Sequence, residues 1–472
     1  MKIEQIYTGC LAQGAYYITS GNEAAIIDPL REIQPYIERA RKDGVSIKYV
    51  FETHFHADFV SGHIDLAKAT GATIVYGPTA QPAFDAYVAK DGEMFVVGDV
   101  AFQVLHTPGH TMESCCYLLK NEKGKDIALF SGDTLFLGDV GRPDLAQKAA
   151  NMTQEELAGL LYTSLRTKVM LLADDVIVYP AHGAGSACGK NMSNATQDTL
   201  GHQKATNYAL RTDMTKEEFV KEVTTGLVAP PQYFPFNVMM NKTGYANISD
   251  VLQQGTQPLS VAAFEAAIAE ANALILDTRN EADFVNGFIP GSINIGLDGS
   301  FAPWVGALIT DIKQPIVFIA DAGREQEVVT RLARVGYDNC LGYLQDGIAA
   351  WQAAKKTLNT IQSITADELA DGLEEHPTIM LLDVRKKSEY DTEHIIGAEN
   401  LPLDNINTEM GRIDPDTTYY VHCAAGYRSV IFISIMMSRG FTNLINVKSG
   451  FKALKSSGRF NISQYQQPVT ML

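Results

Sequence analysis

The stretch 52–63, ETHFHADFVSGH, places three side chains that can bind metal at alternate positions directly after an apolar run. These side chains are His54, His56 and Asp58, and the preceding IKYVF at 47–51 is typical of a buried strand. Imidazole and carboxylate groups are common ligands of transition metals. The loop is therefore a candidate metal site, to which Phe59 adds no ligand atom.

The rest of the amino-terminal half repeats this arrangement of an apolar strand followed by a polar loop. His110 in TPGHT, Asp133 in SGDTLF and His182 in YPAHG each follow such a strand. Loops at strand ends are where α/β proteins place functional side chains, because the sheet holds them rigidly. One such histidine alone would be structural more often than not. Four loops of this form in succession predict one shared metal site.

The composition is that of a globular protein and argues against binding to nucleic acid. The 38 Lys and Arg residues are outnumbered by 55 Asp and Glu residues, which gives a formal charge of −17. Such a chain is repelled by nucleic acid and by anionic membrane surfaces. The six cysteines are sparse, the start MKIEQIYTGC lacks a signal-peptide core, and the longest apolar run, 430–437, is too short to span a bilayer. We expect a soluble cytoplasmic protein with reduced thiols.

The carboxy-terminal half contains an internal repeat. Residues 273–295 are similar to 379–401, and 316–327 are similar to 419–430, at a spacing of roughly 105 residues that suits tandem domains rather than a solenoid. Each copy reads strand, helix, strand, helix, which predicts a small α/β unit with a parallel sheet. The predicted domains are 1–250, 256–356 and 363–465.

Cys423 opens a loop of small residues, VHCAAGYRS at 421–429, that runs into a predicted helix. Inward-pointing N–H groups and a helix N-terminus favour a thiolate or a persulfide anion, and Arg428 adds positive charge. The first copy has Ala320 in place of Cys423 and Glu325 in place of Arg428. We therefore predict that the first copy is catalytically silent.

The order of the metal-binding loops resembles the metallo-β-lactamase superfamily over the whole first domain. The resemblance implies an αββα sandwich with metal at one edge. It also implies a first metal held by His54, His56, His110 and Asp133, and a second held by Asp58, His182 and a histidine at position 59. Because Phe59 replaces that histidine, the two-metal mechanism of water activation is weakened.

Within the superfamily, the sequence most resembles persulfide dioxygenases. This resemblance implies one Fe(II) per chain, held by His54, His110 and Asp133. Two histidines and one carboxylate leave open positions that suit reactions with O₂. The remaining candidates are then expected to orient ligands or water from behind the metal. They are His56, Asp58 and His182.

Two further residues near the metal loops are candidates for substrate contact. Arg142, in GDVGRPDL, matches a Gly-Arg-x-Asp stretch of the family and is expected to bind the carboxylate of a small thiol; a surface salt bridge is the alternative. Asp144 is expected to hold the loop. Cys188, in AHGAGSACGK, is interpreted as a persulfide relay or as a packed thiol.

The second copy of the repeat resembles rhodanese domains, which carry sulfane sulfur on one cysteine. The resemblance implies that Cys423 and Arg428 are catalytic and that the loop between them binds substrate. Those loop residues are Ala424, Ala425, Gly426 and Tyr427. Structural partners in the other signature of the family are expected at Asp383, Arg385 and Glu389.

Together these resemblances predict a fused persulfide dioxygenase and sulfurtransferase. Its partners would be a thiol persulfide, O₂, sulfite and thiosulfate, without nucleic acid or membrane, and it is expected to form a dimer or tetramer. The carrier thiol is left open among glutathione, coenzyme A, bacillithiol and polysulfide. A zinc thioester hydrolase of the glyoxalase II kind is the alternative, and a non-enzymatic sulfur carrier or persulfide sensor is a third reading.

Overall fold

The computed structural model describes residues 1–190, 192–376 and 378–463. The chain forms two compact units, one of Met1–Asp250 with Leu332–Gly336, the other of Val251–Arg331 with the residues from Tyr337 onward. The three domain boundaries stay predictions, and position 465 lies outside the described residues.

The first unit contains two six-stranded sheets. The first sheet runs in the order β1 to β6, with β1 (Lys2–Thr8), β2 (Gln13–Ser20), β3 (Glu23–Ile27), β4 (Ser46–Glu52), β5 (Thr73–Tyr76) and β6 (Tyr87–Val88). The second runs from β12 to β7, with β7 (Met94–Val97), β8 (Val100–His106), β9 (Cys115–Lys120), β10 (Asp126–Gly132), β11 (Ile177–Pro180) and β12 (Asp198–Thr199). Strands β3 to β6 are parallel, as are β10 and β11, while the other neighbours are antiparallel.

Helices cover the outer faces of both sheets. They are α1 (Gln34–Asp43), α2 (His63–Thr70), α3 (Gln147–Ala150), α4 (Gln154–Ser164), α5 (Leu200–Thr206), α6 (Lys216–Thr224) and α7 (Phe234–Thr243), followed by α8 (Ile248–Gly255). Phe51 and Phe102 are buried between the sheets, while α1 packs on the first sheet through Tyr36 and α4 packs on the second through Leu161. This αββα sandwich confirms the predicted fold of the first domain.

Local sequence explains where the predicted helices begin and end. Helix α1 ends at Gly44, which adopts φ 68° and so provides the left-handed conformation that closes a helix. Helix α4 begins with a capping box in which Thr153 and Glu156 satisfy each other's backbone N–H groups. The sequence predicts a helix to Val169, and the residues after Ser164 continue it as a short π-helical turn.

The second unit contains two five-stranded parallel sheets, one in each copy of the repeat. The first repeat has the order β13-β17-β16-β14-β15, with β13 (Pro258–Leu259), β14 (Leu274–Asp277), β15 (Ile293–Asn294), β16 (Ile316–Ile319) and β17 (Cys340–Leu344). The second repeat has the order β18-β22-β21-β19-β20, with β18 (Ser363–Ile364), β19 (Met380–Asp383), β20 (Glu399–Asn400), β21 (Tyr419–His422) and β22 (Leu444–Val447). The identical strand order confirms that the sequence repeat is a repeat of structure.

Helices alternate with these strands, as the parallel pairing requires. Those of the first repeat are α9 (Val261–Ala271), α10 (Glu281–Phe284), α11 (Phe301–Leu308), α12 (Glu325–Arg334) and α13 (Gly347–Ala353). Those of the second are α14 (Ala366–Glu375), α15 (Lys387–Thr392), α16 (Ile406–Glu409), α17 (Tyr427–Ser438) and α18 (Gly450–Ser457). Within the described ranges, none of the helices has both the length and the apolar character needed to cross a bilayer.

Candidate metal centre and cysteine loop

Three strand ends of the first unit bring the predicted metal ligands together. Strand β4 leads into His54, β10 leads into Asp133, and β11, which pairs with β10 in parallel, leads into His182. His110 lies in the turn that connects β8 to β9. All four side chains are buried. The sheet topology therefore assembles the cluster that the order of the loops predicted.

His54, His110 and Asp133 form the most compact part of this cluster. The Oδ2 atom of Asp133 lies 3.4 Å from Nε2 of His110 and 3.8 Å from Nε2 of His54. Oδ2 is buried and accepts no hydrogen bond from the described residues. Burying a carboxylate oxygen without a hydrogen-bond donor costs free energy of folding unless a cation binds to it. The trio therefore fits a metal ion with two imidazole ligands and one carboxylate ligand.

The tautomers of both histidines suit metal binding. Nδ1 of His110 lies 2.8 Å from the carbonyl oxygen of Arg142, which can only accept, so Nδ1 carries the proton. Thr53 donates its hydroxyl hydrogen to Asp28 and therefore accepts one from Nδ1 of His54, 3.0 Å away. In both rings the lone pair is then on Nε2, which faces Asp133.

The electrostatics of the trio match these protonation states. Burial, followed by the neighbouring His56, holds the pKa of His54 well below its ordinary value, so the ring is neutral. Burial opposes ionisation of Asp133, but the nearby imidazoles of His182 and His54 outweigh it and lower the pKa of that carboxyl. Neutral imidazole and ionised carboxylate are the forms that bind metal.

His182 lies between two carboxylates next to this trio. Its Nδ1 is 2.8 Å from Oδ1 of Asp133 and its Nε2 is 2.8 Å from Oδ2 of Asp58. Burial opposes the charge on the ring, but the two carboxylates raise the pKa of His182 well above its ordinary value. The predicted role of His182 and Asp58 in orienting a ligand remains a prediction that this bridge supports.

Cys188 is the third possible ligand beside Asp58 and His182. One ligand atom from each of the three lies within 4.8 Å of the others, and all three residues are buried. Burial, followed by the charges of Asp58 and Asp133, raises the pKa of the Cys188 thiol well above its ordinary value. In the resting site the thiol is therefore a hydrogen-bond donor rather than a nucleophile. The sequence placed Cys188 near the metal loop but did not indicate these two neighbours.

His56 is turned away from the metal trio into a separate acidic pair. Its Nε2 lies 3.1 Å from Oδ1 of Asp28 and 3.2 Å from Oε2 of Glu52. Burial opposes the charge, but Asp28 and Glu52 raise the pKa of His56 to about 10. The ring of Phe59 stacks on the imidazole. His56 is thus placed behind His54. Its acidic partners are Glu52, the last residue of β4, and Asp28, which follows β3, and neither was among the predicted site residues.

The metal loop is anchored by one residue that sequence reasoning missed. Asn241, in α7, donates from Nδ2 to the carbonyl oxygens of His56 and Phe59 and accepts at Oδ1 from the N–H of Ser61. The side chain is buried. The proline-punctuated segment 229–244 therefore packs on this domain through specific hydrogen bonds.

Arg142 is engaged by protein groups on every side. Its Nε and Nη2 atoms donate to the two carboxylate oxygens of Asp144, each at 2.6 Å. The guanidinium also donates to the carbonyl oxygens of Ala187 and Val228. Arg142 and Asp144 thus form an ion pair, but Arg142 is buried, unlike the arginine of the surface salt bridge in the alternative interpretation. Binding of a substrate carboxylate by Arg142 stays a prediction.

Cys423 directly follows β21 and precedes the turn that starts α17. The residue is buried, and the N–H of Gly426 points at its Sγ from 3.1 Å. Gly426 adopts φ 118°, a conformation that side chains disfavour and that aims this N–H inward. Position 450 also requires glycine, since a Cβ there would lie 2.3 Å from the carbonyl oxygen of Cys423. One N–H group of the predicted anion cradle, that of Gly426, is therefore directed at the sulfur.

The four charged residues predicted to act in or support the Cys423 site form two pairs. Asp383 and Arg385 bind each other through two-point hydrogen bonds. Arg428 donates to Glu389 through Nη1 at 2.6 Å and Nη2 at 2.8 Å. Arg428 is therefore close to the loop but neutralised by a carboxylate. Ala424 and Ala425 follow Cys423 in the loop as predicted, and their contact with substrate stays a prediction.

In the first repeat, the corresponding cradle is filled by the chain itself. Ala320 occupies the position of Cys423, and the N–H of Gly323, equivalent to Gly426, donates to Oε1 of Glu325 at 3.1 Å. The carboxylate thus takes the hydrogen bond that the sulfur receives in the second repeat. This arrangement supports the prediction of a silent domain.

Comparisons with protein families agree with the architecture. The family described as the metallo-beta-lactamase superfamily matches residues 8–182, and the rhodanese-like domain matches 260–354 and 365–457. Among curated relatives, the hydroxyacylglutathione hydrolase of Tolumonas auensis is 37% identical over 171 residues, which are 35% of this chain and 60% of that protein. The chain thus spans about 60% of the length of the curated relatives it matches.

Solved structures extend the likeness beyond the first unit. A metallo-beta-lactamase from Staphylococcus aureus is 31% identical and superposes with a TM-score of 0.63, covering 73% of this chain and 98% of that one. A structure named ETHE1 from Myxococcus xanthus is 27% identical, with a TM-score of 0.44, and covers 51% of this chain and 98% of its own. At that TM-score the second likeness carries no argument about activity.

Proposed function

The chain belongs to the metallo-beta-lactamase superfamily and carries two rhodanese-like domains, and from this premise we propose that it oxidises a low-molecular-weight persulfide with O₂ and transfers sulfane sulfur through Cys423. The observation that carries the proposal is the trio of His54, His110 and Asp133, with Phe59 at the position of a missing ligand. Two imidazoles and one carboxylate form the ligand set of non-haem Fe(II) oxygenases.

One metal, rather than two, is favoured by how the neighbouring residues are used. His56 is bound to Asp28 and Glu52, and Phe59 stacks on it instead of offering a donor. His182 has both ring nitrogens on carboxylates. An Fe(II) ion held by the trio would supply open coordination positions for the substrate sulfur and for O₂.

The protein's own residues would keep that site ready. His182 holds Oδ1 of Asp133 and thereby leaves Oδ2 for the metal. The carbonyl oxygen of Arg142 fixes the ring of His110. Cys188, with its thiol protonated, could donate a hydrogen bond to a substrate sulfur beside Asp58. The reaction is balanced as RSSH + O₂ + H₂O giving RSH and sulfurous acid, which ionises to sulfite.

The second repeat would handle the same sulfane sulfur. In the exchange, the Cys423 thiolate attacks the outer sulfur of thiosulfate, the S–S bond breaks, and sulfite leaves with the electron pair. The reverse reaction passes the sulfur of a Cys423 persulfide to sulfite. The Gly426 N–H, 3.1 Å from Sγ, supports the anionic sulfur in both directions. Tethering both activities raises the local concentration of the shared sulfite.

Metal analysis combined with oxygen uptake tests the oxygenase proposal. The protein is reconstituted anaerobically with Fe(II) or Zn(II), and O₂ consumption is followed on the persulfides of glutathione, coenzyme A and bacillithiol. One iron per chain with O₂ uptake and stoichiometric sulfite is expected. Absence of O₂ uptake with every persulfide at full iron loading would overturn the proposal.

A zinc thioester hydrolase is the second candidate, because relatives at 32–37% identity are named hydroxyacylglutathione hydrolases. The cluster of Asp58, His182 and Cys188 could hold a second metal in such an enzyme, with Cys188 replacing the donor lost at Phe59. Two zinc ions per chain and hydrolysis of S-lactoylglutathione to acid and thiol would favour this function over the first.

A further inference from the structure

A tyrosine from the Cys423 loop is inserted into the silent first repeat. Tyr427, the first residue of α17, donates its hydroxyl to the carbonyl oxygen of Gly296 at 2.9 Å. Burial raises the pKa of the Tyr427 phenol, so it remains a neutral donor. The next residue is Arg428, and Gly426 precedes it. The side chain of Tyr427 is therefore committed to the first repeat, and only its backbone can contribute to the sulfur-binding loop.

Two glycines in the first repeat make room for the tyrosine ring. A Cβ on Gly299 would lie 2.3 Å from Cζ of Tyr427, and a Cβ on Gly296 would lie 3.2 Å from Cε2. Neither glycine is recorded in the positive-φ region that favours glycine. Close approach of the ring, rather than an unusual backbone, is thus what these positions require.

The second repeat shows that these glycines are particular to the silent copy. In the first repeat, the N–H of Gly299 donates to the carbonyl oxygen of Gly296. At the equivalent positions of the second repeat, the N–H of Asn405 donates to the carbonyl oxygen of Pro402. The sulfur-carrying repeat thus has proline and asparagine where the silent repeat has two glycines. The same turn is built in both copies, and only the copy that receives Tyr427 lacks side chains there.

A second contact fixes the same helix to the first repeat. The N–H of Asn294, at the end of β15, donates to Oγ of Ser434 in α17 at 2.9 Å, and both residues are buried. Helix α17 carries Arg428 near its start. The helix that directly follows the Gly426 turn is therefore held at two points, about two turns apart, by a domain without a nucleophile.

We propose that the silent repeat positions the catalytic loop of the second repeat, with Tyr427 as the positioning residue and Gly296 and Gly299 as its receiving site. This inference rests on the proposed sulfurtransferase function. A fixed Tyr427 holds the turn so that the Gly426 N–H stays aimed at Cys423. If Tyr427 is displaced, the hydrogen bond to the sulfur weakens and Cys423 transfers sulfur more slowly.

The test uses the full-length protein with Gly299→Ala and Tyr427→Phe, alone and combined, and with Gly411→Ala as control. Gly411 lies in the second repeat, and a Cβ there would meet nothing within 4 Å. Thiosulfate-to-cyanide sulfur transfer is measured as kcat and KM. Alkylation of Cys423 by iodoacetamide is followed from pH 5 to pH 10 by peptide mass spectrometry.

Gly299→Ala is expected to lower kcat about tenfold with little change in KM, and to change the alkylation profile of Cys423. Tyr427→Phe should lower kcat by a smaller factor, about threefold. The loss of kcat in the double variant should be smaller than the product of the two single losses. Gly411→Ala and the oxygen uptake of every variant should match wild type. Wild-type kcat and alkylation profiles in both variants would overturn the inference.

The two proposals fail in different ways. If wild-type protein transfers no sulfur, the proposed transferase function is wrong, while the alkylation profile of Cys423 still reports on positioning. If Gly299→Ala is poorly folded by circular dichroism, Tyr427→Phe alone decides, since it removes one oxygen atom and leaves the ring in place.

Discussion

The phenyl ring of Phe59 stacks on the imidazole of His56, with ring centroids 4.3 Å apart and planes inclined by 29°. An aromatic face stabilises the positive charge that Asp28 and Glu52 place on that imidazole. The aromatic residue in the metal loop therefore supports a charged, buried histidine. It does more than remove a ligand.

Phe59→Ala should destabilise the first unit by about 3–5 kcal/mol, because a fully buried ring is removed from beside a charged group. Urea-induced unfolding monitored by circular dichroism measures the change. Phe236→Ala is the control, since Phe236 is 45% exposed and should cost little. Equal effects of the two substitutions would contradict the structural role of Phe59.

Asp133→Ala should abolish oxygen uptake and leave thiosulfate-to-cyanide transfer at the wild-type rate, because Asp133 belongs to the metal trio of the first unit and Cys423 belongs to the second unit. Cys423→Ser should have the opposite result. Oxygen-electrode and thiocyanate assays on the same preparations check both. Loss of both activities in either variant, with folded protein, would show that the two chemistries are not divided as proposed.

Asn241→Ala should destabilise the protein by about 1–3 kcal/mol and lower its metal content, because it leaves buried backbone groups of the metal loop without partners. Thermal unfolding and elemental analysis report the two effects. Asn286→Ala removes an exposed amide hydrogen bond and serves as the control. A stable variant with full metal content would show that the loop does not depend on this anchor.

Glu389→Gln should lower stability at neutral pH by about 1 kcal/mol, because Glu389 is 35% exposed and its pair with Arg428 is only partly shielded. Burial opposes ionisation, but Arg428 lowers the pKa of Glu389 below its ordinary value of 4.5. A lowered folded-state pKa gives stability that is present above pH 4.5 and lost as the pH falls through the folded value. The difference between wild type and variant in urea unfolding should therefore shrink below pH 4.5, and a pH-independent difference would be inconsistent with the pair.

Ala320→Cys in a Cys423→Ser background should not restore sulfur transfer, because Glu325 occupies the cradle N–H and repels a thiolate. Adding Glu325→Arg should raise transfer at least about tenfold over the single change, which corresponds to roughly 1.4 kcal/mol. Thiocyanate formation measures the gain. Full activity from Ala320→Cys alone would show that the filled cradle is not what keeps the first repeat silent.

The fold could be predicted because its signals are local. Alternation of apolar strands and polar loops gave the strands of the sandwich, and glycine at position 44 marked the end of α1 correctly. The repeat spacing gave two equivalent parallel sheets. The loop order predicted one shared metal site, and the trio within it was implied by the resemblance to persulfide dioxygenases.

The residues that sequence reasoning missed depend on contacts between distant segments. Asn241 binds Ser61 across 180 positions, and an isolated asparagine in a helix carries no signal of such a contact. Asp28 and Glu52 lie at strand ends, where exposed carboxylates are also common, so their sequence positions do not indicate burial. Only the three-dimensional arrangement shows that they share the charge of His56.

Arg142 joins two tasks in one residue, and this limits how its variants can be interpreted. Its carbonyl oxygen fixes the ring of His110, and its guanidinium ties together three chain segments through Asp144, Ala187 and Val228. A loss of kcat/KM after Arg142→Ala would thus result from a disturbed metal site as readily as from lost binding of the substrate carboxylate. Recognition of the substrate by Arg142 would instead appear as a changed selectivity between a carboxylate-bearing persulfide and its neutral ester. The iron content of the variant would have to be unaltered.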